Sequence, residues 1–423
     1  MKKYTHTIQL LGVFFLGSTF GFSQTTNEGI LHVSSNTLFS SVDAFDNKAN
    51  GDFTNNGESY FYSHFNNDGE VDFDAAGTGE RVTRFDRYAT NPSEVQKITG
   101  SKTSKFFEVI YDNDSGLVPT YELHNKMSIT KVADFNNGIV DNDNFGGLLI
   151  FENDAEAVRM NDDSHVDGKV QKKGDDAFVN PVGDVKKGEG YYRMAAISAP
   201  SSVDHDFTTK YFYDNPLSTT AEGQSPTANM GGNIELIDQA EFWTVTKDKG
   251  TADVILTLSY NSSTTPSSLT SSTEKLSIAR WNNTAKIWED LGGIVNTANQ
   301  TVTTPVTLDA YGIFTLANTG ADELVVYNGV SNNGDGVNDY FEIKNINALK
   351  NNNVKIFNRW GIKVYETNNY DSNGNVFRGN SNGRATVSSN EHLPTGTYYY
   401  VVSYDNDSNE RVTKSGYLYI TTE

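Results

Sequence analysis

The chain has 423 residues, a formal net charge of −21 and no cysteine. The missing cysteine excludes any disulfide framework and any cysteine nucleophile, so stability has to come from packing. The charge excludes nucleic-acid binding, which needs clustered Lys and Arg, and the length predicts two or three domains.

At the N-terminus Lys2 and Lys3 precede an apolar run from Ile8 to Phe15, and Gly21 and Ser23 flank a cleavage point. This is the pattern of a secretory signal over residues 1–23, with a mature chain from Gln24. The run is shorter than the ~20 residues a spanning helix needs, and no later segment reaches that length. A soluble, exported protein without a transmembrane segment is expected.

From Gln24 onward, short apolar/polar alternations are bounded by Asn, Asp and Gly, which predicts an all-β chain. Residues 24–175 contain a recurring motif: Phe53-Thr54-Asn55-Asn56-Gly57, Phe65-Asn66-Asn67-Asp68-Gly69 and Phe135-Asn136-Asn137-Gly138, the first two 12 residues apart. Asn-Gly and Asp-Gly supply the positive φ of tight turns, so each motif is expected to end a strand and reverse into the next. Stacked coils of a β-solenoid and successive hairpins of a sandwich both fit, and the repeat favours the solenoid, with each Phe buried on the next unit.

Residues 176–320 hold three of the four tryptophans (Trp243, Trp281 and Trp288), strands such as Asp253 to Leu258, and a Ser/Thr-rich loop from Asn261 to Thr273. They read as a central β-sandwich. Acidic pairs (Asp72/Asp74, Asp141/Asp143, Asp162/Asp163, Asp175/Asp176) are candidates for acid and base in glycoside hydrolysis. Such pairs are common in a chain this acidic, and solvated turns are the plainer reading. The seven histidines (His6, His32, His64, His124, His165, His205, His392) show no metal-binding spacing, and no nucleophile elbow or P-loop occurs.

A third segment, 321–423, follows the linker-like Asn318 to Asp322 and carries about −3 of the charge, against about −20 for residues 24–320. Four blocks stand in order here. The first is a loop with Gly334, Asp335, Gly336, Asn338 and Asp339. Next comes the turn Asn358-Arg359-Trp360-Gly361 between two strands. The third is Gly396-Thr397-Tyr398, opening the alternation Tyr398, Tyr400, Val402, Tyr404, and the last is Ser415 to Ile420. Together they resemble the gliding-motility-associated C-terminal domain of Bacteroidota, the type B sorting domain of the type IX secretion system.

That resemblance implies delivery through the periplasm to an outer-membrane translocon. It also implies a partner outer-membrane protein of the PorP/SprF type, and a final place on the cell surface or outside the cell. The module itself is expected to be a small immunoglobulin-like sandwich, with the Trp360 ring covering one end of its core.

Ser331, Asn333, Asp335, the Val337 carbonyl, Asp339 and Glu342 fall on calcium-loop offsets, so calcium is the one cofactor to consider. A plain Asx/Gly turn is the competing reading. The expected function is a non-catalytic surface or secreted protein, adhesin-like or matrix-associated, with a glycan or surface ligand. The alternative is a polysaccharide-binding or polysaccharide-degrading protein.

Overall fold

The computed structural model describes residues 24–87, 94–231, 234–319, 324–331, 338–344, 346–372, 374–382, 392–405 and 411–421. The signal expected at 1–23 lies outside them. So do Asn333 to Val337 of the expected loop.

The N-terminal region is a parallel β-solenoid. Its first two coils run Gln24–Asn27, Ile30–Val33, Leu38–Ser41 and then Ala44–Asn47, Asp52–Asn55, Glu58–Phe61. Each strand pairs in parallel with the strand one coil on: Gln24 with Ala44, Ile30 with Asp52, Leu38 with Glu58. Short strands with a polar residue at each corner suit this geometry, because a coil that buries one face of each strand must turn sharply between faces.

Two columns of side chains run down the interior. On one wall Phe61, Phe85, Tyr111 and Phe135 stand in register. Their rings stack with centroids 5.8, 6.1 and 5.2 Å apart, a spacing that combines apolar burial with favourable ring contacts. At a corner, Asn27, Asn47 and Asn67 form a buried ladder: Asn27 Nδ2 donates to Asn47 Oδ1 (2.8 Å) and Asn47 Nδ2 to Asn67 Oδ1 (2.9 Å), each a step of 20 residues. Asn67 Nδ2 passes the ladder to Ser104 Oγ at 3.1 Å.

The structural period is therefore 20 in the first coils, not the 12 of the sequence motif. Phe53, Phe65 and Phe135 are all buried, but they sit on three different walls and none is the register partner of another. The turns differ too. Gly57 and Gly69 do not adopt positive φ. They are glycine because a Cβ would stand 2.4 Å from the Thr37 carbonyl oxygen and 2.2 Å from that of Gly51. Close approach of the neighbouring coil selects them.

Near Val170 the architecture changes without a break in the sheet. The parallel strand Val170–Lys173 pairs antiparallel with Asp206–Phe212, which continues to Phe242–Lys249, Gly312–Thr319, Leu276–Asn282 and Ile287–Asp290. A second antiparallel sheet covers it, in the order Phe178–Asn180, Ala195–Ile197, Leu256–Ser259, Thr301–Thr303, Ile294–Asn296. One hydrophobic core runs from Val33 to Leu316, so the sandwich also closes the end of the solenoid. Trp243 and Trp288 are wholly buried. The Ser/Thr-rich segment contains a short helix, Ser267–Thr270.

The C-terminal module has its own core. Its main sheet orders Gly329–Ser331, Arg411–Thr421, Gly396–Asp405, Lys350–Phe357 and Lys363–Asn368, and Val325–Val326 pairs separately with Ile343–Lys344. Among the described residues no helix is long and apolar enough to cross a membrane.

Asn47 is the middle rung of the polar ladder and also donates to the Glu70 carbonyl at 2.8 Å. Asn47→Ala would take one hydrogen bond from each of the buried Asn27 and Asn67 amides and the side-chain donor from the Glu70 carbonyl, which costs about 2–3 kcal/mol. Urea unfolding of the mature chain should show that loss as a lower midpoint. An unchanged midpoint would remove the ladder's structural role.

Candidate functional site

In the C-terminal module the alternation of Tyr398, Tyr400, Val402 and Tyr404 points one face of the central strand inward, and all four are buried in the module's core. Tyr370 ties that core together: its hydroxyl donates to the Phe341 carbonyl (2.6 Å) and accepts from the Phe377 N–H (2.9 Å). Tyr398 donates to the Pro394 carbonyl at 3.0 Å, fixing the entry to its strand just before Gly396 and Thr397.

The turn after Phe357 is built on Asn358, whose Oδ1 accepts the N–H groups of both Trp360 and Ile362 at 3.0 Å. Gly361, at φ 74°, completes the reversal, a backbone state that costs glycine nothing. Trp360 does not cover the core. It is 68 % exposed, with the Arg359 guanidinium 4.3 Å from its ring centroid, and Ile362 beside it is 44 % exposed. The turn is too tight for the indole to fold back over the sheet, so the ring projects outward.

Ser331 and Asn338 close the base of the expected loop, through the Ser331 N–H to the Asn338 carbonyl at 2.7 Å, with Asn338 at φ 55°. The chain then continues through Asp339 into the strand Ile343–Lys344, where a calcium-binding hand would begin a helix. Three of the six expected ligand positions, Asn333, Asp335 and Val337, lie outside the described residues, as do Gly334 and Gly336. Glu342 offers its backbone carbonyl to the Tyr327 N–H. Among the described residues no cluster of three or more His, Asp or Glu is placed to hold a metal.

The acidic pairs are taken up locally. Asp72 pairs with Lys105 at 2.9 Å, Asp141 caps the Asn144 N–H, and Asp143 pairs with Lys210. Asp162 holds Arg193 at 3.0 Å and Asp176 holds Lys172 at 2.9 Å. His165 is sealed between coils, where its Nδ1 meets the Asn161 carbonyl and burial drives its pKa down to about 4. His205 accepts the Ala252 N–H and supports a turn.

Two clusters have no signature in the sequence. Glu241, Arg193, Tyr211 and Thr265 meet in the sandwich interior: Tyr211 donates to Glu241 at 2.7 Å, and the guanidinium lies 4.0 Å away. Burial raises the Glu241 pKa first, while these donors oppose it. On the outer wall of the solenoid, Glu80 lies beside Glu58, and the neighbouring carboxyl raises the Glu80 pKa. Residues far apart in sequence make both clusters, so no local motif could announce them.

The family model described as the CHU_C type IX secretion signal domain matches residues 324–420. Those bounds coincide with the separate core, from Leu324 to Ile420. The C-terminal module is thus a type IX secretion sorting domain, a class consistent with Bacteroidota, and it marks the chain for export to the cell surface or the extracellular space. No curated protein and no solved structure matches.

Asp167 gives the body a measurable pH signature. It is buried where the solenoid meets the sandwich, and burial first, then the charges of Asp184, Asp141 and Asp143, push its pKa up to about 8. The folded chain keeps a proton that the unfolded chain releases above pH ~4, so this group's contribution to stability falls as pH rises from about 4 to about 8. Asp167→Asn removes that loss. Its melting temperature should exceed the parent's by at least ~2 °C at pH 8 and converge with it near pH 4; parallel pH profiles would show the carboxyl to be ionised in the fold.

Proposed function

We propose that the chain is a non-catalytic surface or secreted protein, adhesin-like or matrix-associated. In this reading residues 1–23 direct it to the periplasm, residues 321–423 address it to the translocon with a PorP/SprF-type partner, and residues 24–320 form the ligand-presenting body. The observation that supports it best is the division of labour in the packing. The body's buried cations Lys172, Arg193, Lys210 and Arg280 are locked in ion pairs, and the solenoid's outer wall and the Arg359–Trp360 tip are left open. Catalysis needs reactive groups facing a water-excluding cleft, and the candidate acidic pairs are spent on turns and ion pairs.

Within the sorting module, Arg359, Trp360 and Gly361 form the recognition tip, and Gly396, Thr397 and Tyr398 set the strand that supports it. Holding an indole 68 % exposed forgoes burial that a side chain of this size would otherwise gain. A partner that covers the ring recovers it. The same chemistry suits a hot spot, since Trp and Arg dominate such contacts.

Deleting residues 321–423 should trap the remainder in the periplasm, and fusing them to a reporter behind a signal peptide should carry the reporter to the surface. A truncated chain that still reaches the surface would refute the sorting role. Trp360→Ala should leave the melting temperature within ~1 °C, as expected of an exposed side chain, and lower surface delivery several-fold. Normal delivery of that variant would confine the tip to a structural part.

A further inference from the structure

The outer wall of the solenoid carries a groove of about 500 Å³, lined by Glu58, Glu80, Arg81, Arg84, Phe107 and Lys131 among others. A smaller hollow of about 220 Å³ shares Glu58 and Glu80 with it and extends it to Asn36 and Leu38 of the first coil. The groove therefore runs along the solenoid axis across several coils, which repeat every ~4.8 Å.

Three departures from regular coil geometry build it. The segment from Phe73 to Arg81 is an insertion that forms one wall, anchored where the Asp74 N–H meets Asn56 Oδ1 at 2.7 Å. It ends on Arg81 in a left-handed conformation, φ 53°, which is strained for an arginine. Opposite, the strand Ser104–Asp112 breaks register between Phe106 and Glu108 against Lys126–Asn137. Phe107, alternating with the buried Phe106, faces outward beside this bulge, and bulges are common beside functional sites. Arg81 lies flat on Phe107, 3.5 Å from the ring centroid.

The electrostatics are unusual for a chain of charge −21. Among the described residues neither Arg81 nor Arg84 makes an ion pair, although most of the other arginines do. Arg81 Nε and Arg84 Nε are buried without hydrogen-bond partners. Arg81 is 9 % exposed and reaches only the backbone carbonyls of Asp74 and Ala75. Asp86, on the same wall as Arg84, instead accepts the Arg87 N–H at 2.6 Å. Glu58 and Glu80 stand side by side, and Glu108 is offset by Lys131 at 3.8 Å. Leaving a guanidinium unpaired in a partly dry groove is costly unless an anion completes it.

Next to Arg84 stands a flat aromatic surface. Tyr60 and Tyr62 stack at 17° with centroids 6.0 Å apart, and the Arg84 guanidinium lies 5.6 Å from the Tyr60 centroid. Tyr60 also donates to Glu58 at 3.0 Å. Rings, hydroxyls and cations along one line match a polymer with apolar sugar faces, hydroxyl groups and regularly spaced negative charges.

We propose that this groove binds an extended acidic polysaccharide, with Arg84 and Arg81 holding its carboxylate or sulfate groups and Tyr60 supporting a sugar ring. The proposal rests on the reading of residues 24–320 as a binding body, and it is tested apart from export.

Purified mature chain is titrated with polygalacturonate, dextran sulfate and neutral dextran, and binding is followed by calorimetry at two salt concentrations. One or both acidic polymers should bind, more weakly at high salt, and their comparison separates carboxylate from sulfate recognition. Arg84→Gln should lower affinity at least ~10-fold with an unchanged melting temperature, and Arg84→Lys should recover part of it. Failure of both acidic polymers to bind, equal binding of neutral dextran, or full affinity in Arg84→Gln would overturn the proposal. Surface delivery of Arg84→Gln, measured in parallel, should stay normal, so a failed titration leaves the sorting assignment untouched.

Discussion

Coil-on-coil pairing is the constraint from which the N-terminal architecture follows. Each strand of the first coils is only four residues long, far too short to be stable alone. It is held because the strand above and the strand below take up its N–H and C=O groups, while the side chains beneath it join columns such as Phe61, Phe85, Tyr111 and Phe135. The Asn27–Asn47–Asn67 ladder repeats the arrangement in side chains, at the strand ends that open a corner. A buried amide there satisfies groups that water cannot reach.

This constraint explains which parts of the fold were legible. Short alternating runs and Asx/Gly corners announced an all-β chain, and the repeated Phe-Asn-Asn pattern favoured a solenoid. The motif spacing is not the coil period, because one coil presents similar corners on more than one wall. Phe53 and Phe65 lie on different walls, whereas the true repeat joins Phe45 to Phe65. Later coils hide the period further, since the step lengthens from 20 residues to 33 between Asn66 and Thr99. The continuity of the sheet from solenoid to sandwich was silent too, because the strands Val170–Lys173 and Asp206–Phe212 that join there lie far apart in sequence.

The sites divide in the same way. The sorting module was readable because its blocks are local: a turn such as Asn358 to Gly361 needs its residues in succession. What locality could not reveal was the direction of Trp360, which depends on how tightly Asn358 Oδ1 binds the turn. The solenoid groove left no trace in the sequence. Arg84 is distinguished only by what fails to contact it, and Phe107 only by the Arg81 guanidinium laid against its ring.

The strand Gly312–Thr319 carries a mechanical consequence. It lies inside the long sheet, between Phe242–Lys249 on one side and Leu276–Asn282 on the other, and it is the last strand before the sorting module begins at Leu324. Tension from an anchored module therefore enters the body along the axis of that strand. It loads the hydrogen bonds on both flanks together in shear, whereas an edge strand would peel away one bond at a time. A protein held at its C-terminal end against moving fluid would meet the pull at one of its most strongly braced points.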